Sequence, residues 1–102
     1  MLGCTLYIEI KRQVPNSTVV YKNLDLANFD SIRRFVEQVH EMKDFKEHGL
    51  SLLVNNAGVG WGKQTPYITT SDGLEEIVGV NHFGHFLLTN LLLPSLQQAK
   101  LA

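Results

Sequence analysis

Leu50-Ser51-Leu52-Leu53-Val54-Asn55-Asn56-Ala57-Gly58 is a short apolar run that ends abruptly in small amides and glycine. A run of this length, closed by turn residues, predicts a strand over 50–54 whose exit is the Asn-Asn-Ala-Gly stretch. Just upstream, His48-Gly49 stops a helix, glycine being a common residue at a helix exit. That helix starts behind Asn28, a plausible N-cap, and carries Phe29, Ile32, Phe35, Val36, Val39 and Met42 at three- and four-residue steps. Arg33, Arg34, Glu37, Gln38 and Glu41 fall on its other side. Earlier still, the turn cluster Pro15-Asn16-Ser17 leads into Thr18-Val19-Val20-Tyr21, whose β-branched and aromatic residues predict a strand over 18–23. Strand, helix, strand predicts an α/β fold with a parallel sheet and a right-handed crossover. Residues 4–10 alternate apolar with polar or amphipathic side chains, the period of a further half-buried strand.

Downstream, a long glycine-containing loop is expected from Asn55 to Thr70. Thr70 could cap the next helix, with Asp72 and Glu75 set to complement its positive end. From Leu74 to Leu93 the apolar residues form first a stripe and then an almost complete coat, which predicts burial on all sides or against another subunit. Pro94 cannot donate to the Asn90 carbonyl, so the helix is expected to end or kink there.

The whole is 102 residues, 44% hydrophobic and 19% charged, the balance of one soluble globular domain. A formal net charge of -1 gives no electrostatic reason to expect nucleic acid or an anionic membrane. A lone cysteine, Cys4, cannot close an internal disulfide and points to a reducing, cytoplasmic or cytosol-facing setting. Neither a signal peptide nor an apolar run of membrane-spanning length is visible. Asn16-Ser17-Thr18 matches a glycosylation sequon but reads better as a polar turn.

In a parallel α/β sheet, ligands bind beyond the carboxyl ends of the strands. Asp25-Leu26 and Asn55-Asn56-Ala57-Gly58 occupy those places, and small residues there let a flat ring or a sugar approach the backbone. A turn that merely leaves the strand is the alternative. Ala57 to Lys63 nearly spells a phosphate-binding loop, but Ala57 replaces its first glycine and Gln64 its hydroxyl residue. His82 and His85 stand three apart without a third ligand nearby, and read as packing or loop-contacting residues, with no metal expected. Trp61 and Tyr67 could face a substrate or simply pack.

Asp25-Leu26, then Leu52-Leu53-Val54-Asn55-Asn56-Ala57-Gly58, then Val80-Asn81-His82-Phe83-Gly84-His85-Phe86-Leu87-Leu88-Thr89 together resemble the short-chain dehydrogenase/reductase family. With Asp72-Gly73 ahead of it, the last segment looks most like the retinol-dehydrogenase-like branch. The resemblance runs from about Asn16 to Leu96 and covers a middle portion of the family's longer domain. It implies a partial Rossmann-type, doubly wound parallel sheet over a single partial domain, 1–102. It implies NAD or NADP as cofactor and a small hydrophobic alcohol or carbonyl, retinoid- or lipid-like, as substrate.

Position by position, the resemblance makes Asp25 the acceptor for the adenine amino group, with Leu26 supplying backbone contact. Asn55, Ala57 and Gly58 match the segment beside the adenosine, and Asn81 matches the helical asparagine that supports the catalytic proton relay. On so apolar a helix Asn81 is expected to be buried and paired, since an unsatisfied buried amide costs about 1–3 kcal/mol. The family's glycine-rich turn does not precede Asp25, and its catalytic serine and Tyr-x-x-x-Lys pair have no acceptable match. Tyr7 with Lys11 fits the spacing but lies far upstream, on a segment whose alternation predicts a strand; by resemblance part of that segment would instead be helical. Without the family's first strand, the predicted sheet would expose edges and apolar faces, and the isolated chain is expected to fold poorly. The alternative to an enzyme segment is a non-catalytic product that binds nucleotide weakly or self-associates through helix 74–93.

Overall fold

The helix expected behind Asn28 starts as written, and its start is fixed by two carbonyl-bearing side chains. A computed structural model describes residues 2–60 and 66–99. Its helices are α1 (Leu2–Gln13), α2 (Phe29–His40), α3 (Lys43–His48), α4 (Glu76–Val78) and α5 (His85–Gln98), with a π-helical turn, Gly79–Gly84, between α4 and α5. Asn28 Oδ1 accepts from the Ser31 N–H at 3.1 Å, the N-cap bond that the sequence called for. The Asp72 carboxylate accepts from the Phe29 N–H at 2.8 Å. Asp72 therefore complements a helix dipole, as expected, but that of α2 rather than of its own helix. Glu75 does cap the helix that follows it, accepting from Ile77 N–H at 2.9 Å and Val78 N–H at 3.0 Å. Thr70 instead closes a tight turn, in which Gly73 takes φ +81° and the Thr70 N–H donates to Leu74 O at 2.7 Å.

The apolar stripe of 29–42 breaks after His40, and the short α3 carries the chain on to Gly49. Gly49 has φ +72°, and a side chain there would run into the Ser95 carbonyl of α5. The next residue, Leu50, donates its N–H to that same carbonyl at 3.0 Å. Ser95, a buried polar residue, also meets the His40 ring through its hydroxyl at 3.2 Å. The exit expected at His48-Gly49 thus holds because α5 lies directly over it.

Leu26, Ile32, Val36, Val80, Leu88 and Leu92 form the core, α2 lying against the segment from Val80 to Leu92. The four-residue row Val80, Gly84, Leu88, Leu92 faces inward. Phe83 and Phe86 face outward, Phe86 at 60% exposure, so of the two expectations, burial on all sides or against another subunit, the first does not hold within one chain. Pro94 lies inside α5, which continues to Gln98. Burial of Leu92 and Ser95 on either side of Pro94 holds the last turn despite the missing amide donor. Among the described residues no helix is long and apolar enough to cross a membrane.

The predicted strands require correction. Residues 4–10 lie in α1, where Glu9 Oε1 accepts from both Arg12 Nη2 and Gln13 Nε2 at 2.6 Å. These three- and four-residue pairs, with Lys11 and Arg12 in the last turn, favour helix and outweigh a weak alternation. Residues 18–23 and 50–54 have no regular secondary structure, and the parallel sheet is not formed among the described residues. A strand exists only where a neighbour takes its N–H and C=O groups. Leu52 (72% exposed) and Val54 (69%) lie open, which gives the expected apolar faces their concrete form.

Packing at Gly84 is as close as at Gly49: an added methyl group would overlap the Leu26 carbonyl oxygen. Gly84→Ala is therefore expected to cost about 1–3 kcal/mol, the range for overpacking a close contact. Gly60, with open space around the same position, supplies the control. Helical circular dichroism in a urea titration should fall early for Gly84→Ala and be unchanged for Gly60→Ala.

Candidate functional site

The Asp25-Leu26 turn is built by the start of α2. Asp25 Oδ1 accepts from the Ala27 N–H at 2.9 Å, the Asp25 carbonyl accepts from the Asn28 N–H at 3.1 Å, and the Asp25 N–H donates to Ser31 Oγ at 2.9 Å. The carboxylate is exposed and oriented. A carboxylate offers about four acceptor positions, so the bond from Ala27 leaves capacity for another donor. Leu26, the buried neighbour, ties this turn to the core.

The second segment is held by side chains from the π-helical turn and α5. Asn81 Oδ1 accepts from the Val59 N–H at 2.8 Å while Asn81 Nδ2 donates to the Val59 carbonyl at 2.6 Å. His85 Nε2 lies 2.7 Å from the Ala57 carbonyl, and its Nδ1 lies 3.3 Å from the Asn55 amide. Asn55 Oδ1 is the atom facing His85 Nδ1, and Asn55 Nδ2 donates to Thr89 Oγ1 at 3.1 Å. Asn81, His85 and Thr89, spaced four apart, thus form a row of three that grips three successive odd positions of the loop, 55, 57 and 59. Asn81 is exposed, not buried as expected from its apolar surroundings, because the loop it holds is itself a surface segment.

Asp25, Leu26, Ala57 and Gly58 line one open cleft of about 280 Å³, walled also by Ala27 and Val80. Asn55 and Asn81 line a second, of about 390 Å³, together with His85 and Phe86. The residues singled out from sequence are therefore divided between two clefts on either side of the 55–59 loop. His82 stacks edge-on to Phe83, ring centres 5.0 Å apart, and no group of three metal-binding side chains exists among the described residues. Tyr7 and Lys11 share α1, a helix rather than the expected strand, but Lys11 Nζ bonds the Ser17 carbonyl at 2.5 Å and neither residue lines either cleft. Tyr67 is 80% exposed. Trp61 and the Lys63-Gln64 end of the near phosphate-binding loop lie outside the described residues.

Sequence reasoning missed three contributors: Thr89, Glu76 in the first cleft, and the close approach made by Gly84. The four-residue spacing of Asn81, His85 and Thr89 was the available signal for Thr89.

A turn at a helix start and a glycine-bearing loop thus meet across one cleft. The chain belongs to the short chain dehydrogenase family, which it matches over residues 4–101. It is retinol-dehydrogenase-like: it is 48% identical over 93 residues to retinol dehydrogenase 11 of Mus musculus, covering 89% of this chain and 27% of that protein. It is 45% identical over 89 residues to retinol dehydrogenase 13 of Homo sapiens, covering 87% of this chain and 25% of that protein. It is 44% identical over 91 residues to polyprenol dehydrogenase of Homo sapiens, covering 89% and 26%. A crystal structure of an uncharacterized protein from Mycobacterium paratuberculosis superposes with a TM-score of 0.64 at 40% identity, covering 89% of this chain and 30% of that one. The chain thus spans about a quarter of the length of these curated relatives.

Removing the Asn81 amide should loosen the loop without opening the core. Asn81→Ala is expected to speed hydrogen exchange at the Val59 N–H by up to about tenfold, each lost bond contributing ~0.5–1.5 kcal/mol. Exchange at Ile32 and Val36 in α2 should stay as slow as in the parent chain.

Proposed function

We propose that these residues form the adenosine side of a nicotinamide-dinucleotide site in a short-chain oxidoreductase acting on a hydrophobic alcohol or carbonyl. The observation that carries this reading is the single cleft shared by Asp25, Leu26, Ala57 and Gly58. Its parts suit a purine: an oriented carboxylate to accept from an exocyclic amino group, and apolar walls from Ala27 and Val80 for the ring faces. Gly58 keeps the loop thin at the point where a side chain would crowd Asn81 Oδ1, 3.3 Å away. At about 280 Å³ the cleft sits at the lower edge of the usual ~300–1,000 Å³ for ligand pockets. That size matches one end of a dinucleotide rather than the whole.

When bound, NAD or NADP supplies the hydride acceptor or donor. This chain's own residues bind and orient: Asp25 and Leu26 at the base, the 55–58 loop alongside the sugar, and Asn81 as a support beyond the loop. The retinol and polyprenol dehydrogenases among its relatives favour a long apolar substrate. We treat residues 1–102 as one partial domain of that enzyme. Proton transfer requires a tyrosine and lysine that the described residues do not place at either cleft, so the 102 residues alone are expected to give no reductase turnover.

A second reading draws on the exposed Phe83 (40%), Phe86 (60%) and Leu93 (43%) along the 74–93 segment. These leave an apolar side available for self-association.

Titration of the chain with NADH and NADPH, followed by nicotinamide fluorescence, tests the nucleotide reading. Weak, saturable binding is expected. Asp25→Ala should weaken it about ten- to a hundredfold, since a charge-assisted bond contributes ~1.5–3 kcal/mol. Equal affinity of parent and variant would remove Asp25 from the site, and no saturation at all would leave the non-catalytic association reading.

A further inference from the structure

We propose that His85 is the positioning residue of the 55–59 loop, acting as the neutral Nε2–H tautomer in a one-way hydrogen-bond chain from Thr89 through Asn55 and His85 to Ala57. The proposal deepens the nucleotide-binding reading, and its consequence for affinity rests on that reading; the tautomer and the loop's order do not.

Two distances decide the direction. His85 Nε2 is 2.7 Å from the Ala57 carbonyl oxygen, which can only accept, so Nε2 carries the proton. In a neutral imidazole Nδ1 is then the acceptor. In the structure it faces Asn55 Oδ1 at 3.3 Å, while Asn55 Nδ2 points to Thr89 Oγ1; a half-turn of the amide exchanges its oxygen and nitrogen. An amide oxygen turned toward it would set two acceptors against each other, whereas the amide NH₂ in that place supplies the missing donor. A half-turn of the amide brings Oδ1 to the place that Nδ2 holds, 3.1 Å from Thr89 Oγ1, where it accepts the hydroxyl proton, which is free to rotate into line. Every donor then has an acceptor, and the chain runs in one direction. The reverse assignment would put a bare Nε2 against the Ala57 oxygen at the shorter of the two distances and leave it without a proton between them. Asn81 carries no such ambiguity, because the Val59 N–H and C=O dictate which end of its amide goes where.

The placement gives His85 a distinct task. Asn81 fixes the far end of the loop at Val59, and Thr89 fixes the near end at Asn55. Among the described residues His85 alone reaches the middle, at Ala57, the residue that lines the first cleft beside Gly58. The ring stands behind the loop, on the side of the second cleft, so it sets the position of the Ala57-Gly58 backbone without touching a ligand in the first.

The test reads the ring directly and then its effect. Long-range ¹H–¹⁵N correlation of the imidazole in alkaline buffer, where histidine is neutral, is expected to show Nε2 protonated and Nδ1 bare. An Nδ1–H ring, or the averaged shifts of a free histidine, overturns the proposal. His85→Gln keeps a side-chain N–H donor near the Nε2 position, and should retain slow exchange at the Val59 N–H and the dinucleotide affinity of the parent. His85→Phe keeps a ring but no donor, and should raise Val59 exchange about tenfold, the equivalent of ~1.4 kcal/mol for one bond, with Ile32 and Val36 unchanged. Identical behaviour of the two variants overturns the proposal even if the phenylalanine form is poorly folded, since the glutamine form would then have lost the loop as well. A parent chain that binds no dinucleotide but shows the Nε2–H ring and the Gln-versus-Phe difference would sink the nucleotide reading and leave the positioning role standing.

Discussion

The contact between Gly84 and the backbone of Leu26 is the constraint on which the remaining arrangement depends. With no side chain at residue 84, the π-helical turn settles directly on the Leu26 carbonyl. That approach brings Val80 and Leu88, one turn to either side, into the same core as Leu26, Ile32 and Val36. It also sets the distance between the Asp25 turn and the 55–59 loop, because each is attached to one of the two surfaces that meet at Gly84. The turn hangs from the start of α2 by the Ser31 hydroxyl and the Asn28 amide, and the loop hangs from Asn81 and His85. A larger residue at 84 would part these surfaces and widen the cleft that they share.

Two adjacent rows of the same helical segment divide the work. Val80, Gly84, Leu88 and Leu92 face the core, whereas Asn81, His85 and Thr89, each one residue later, hold the loop. The rows differ in how they resist disturbance. Burial of large apolar side chains contributes roughly 1.5–3 kcal/mol each, while each hydrogen bond in the surface row contributes about 0.5–1.5 kcal/mol. The core therefore fixes where the helix lies, and the polar row fixes only where the loop lies relative to it. A π-helical turn at this point is in keeping with the frequent placement of such turns at functional sites. Here it spans both rows where they begin.

Much of this was legible in the sequence where the information is local. Asn28 and its stripe of apolar residues encode α2, and Gly49 encodes the exit, because capping and periodicity act within a few residues. Asp25-Leu26 and Ala57-Gly58 line one cleft, although the strands expected ahead of them do not form among the described residues. What could not be read was non-local. Asp72 caps a helix that begins 43 residues earlier in the chain, and nothing near Asp72 in the sequence indicates it. Residues 18–23 and 50–54 carry strand-like composition, but a ladder depends on a partner, and composition does not supply one. The misreading of 4–10 has a different cause: alternation and i,i+3 or i,i+4 charge pairing were both present, and Glu9 with Arg12 and Gln13 prevailed.

The exposure of Asn81 follows from the same division and changes what its amide is for. A buried amide would be retained to avoid the cost of an unpaired polar group, and any partner would serve. An exposed amide can turn to water, so its hold on both polar groups of Val59, at 2.8 and 2.6 Å, reflects geometric fit to that backbone. The same holds for His85, whose ring reaches a carbonyl that solvent could satisfy. A surface loop of small residues has little apolar area with which to dock, so specific polar contacts are the means left to place it. The glycine and alanine that let a ligand approach closely are thus the reason why Asn81, His85 and Thr89 are required beneath them.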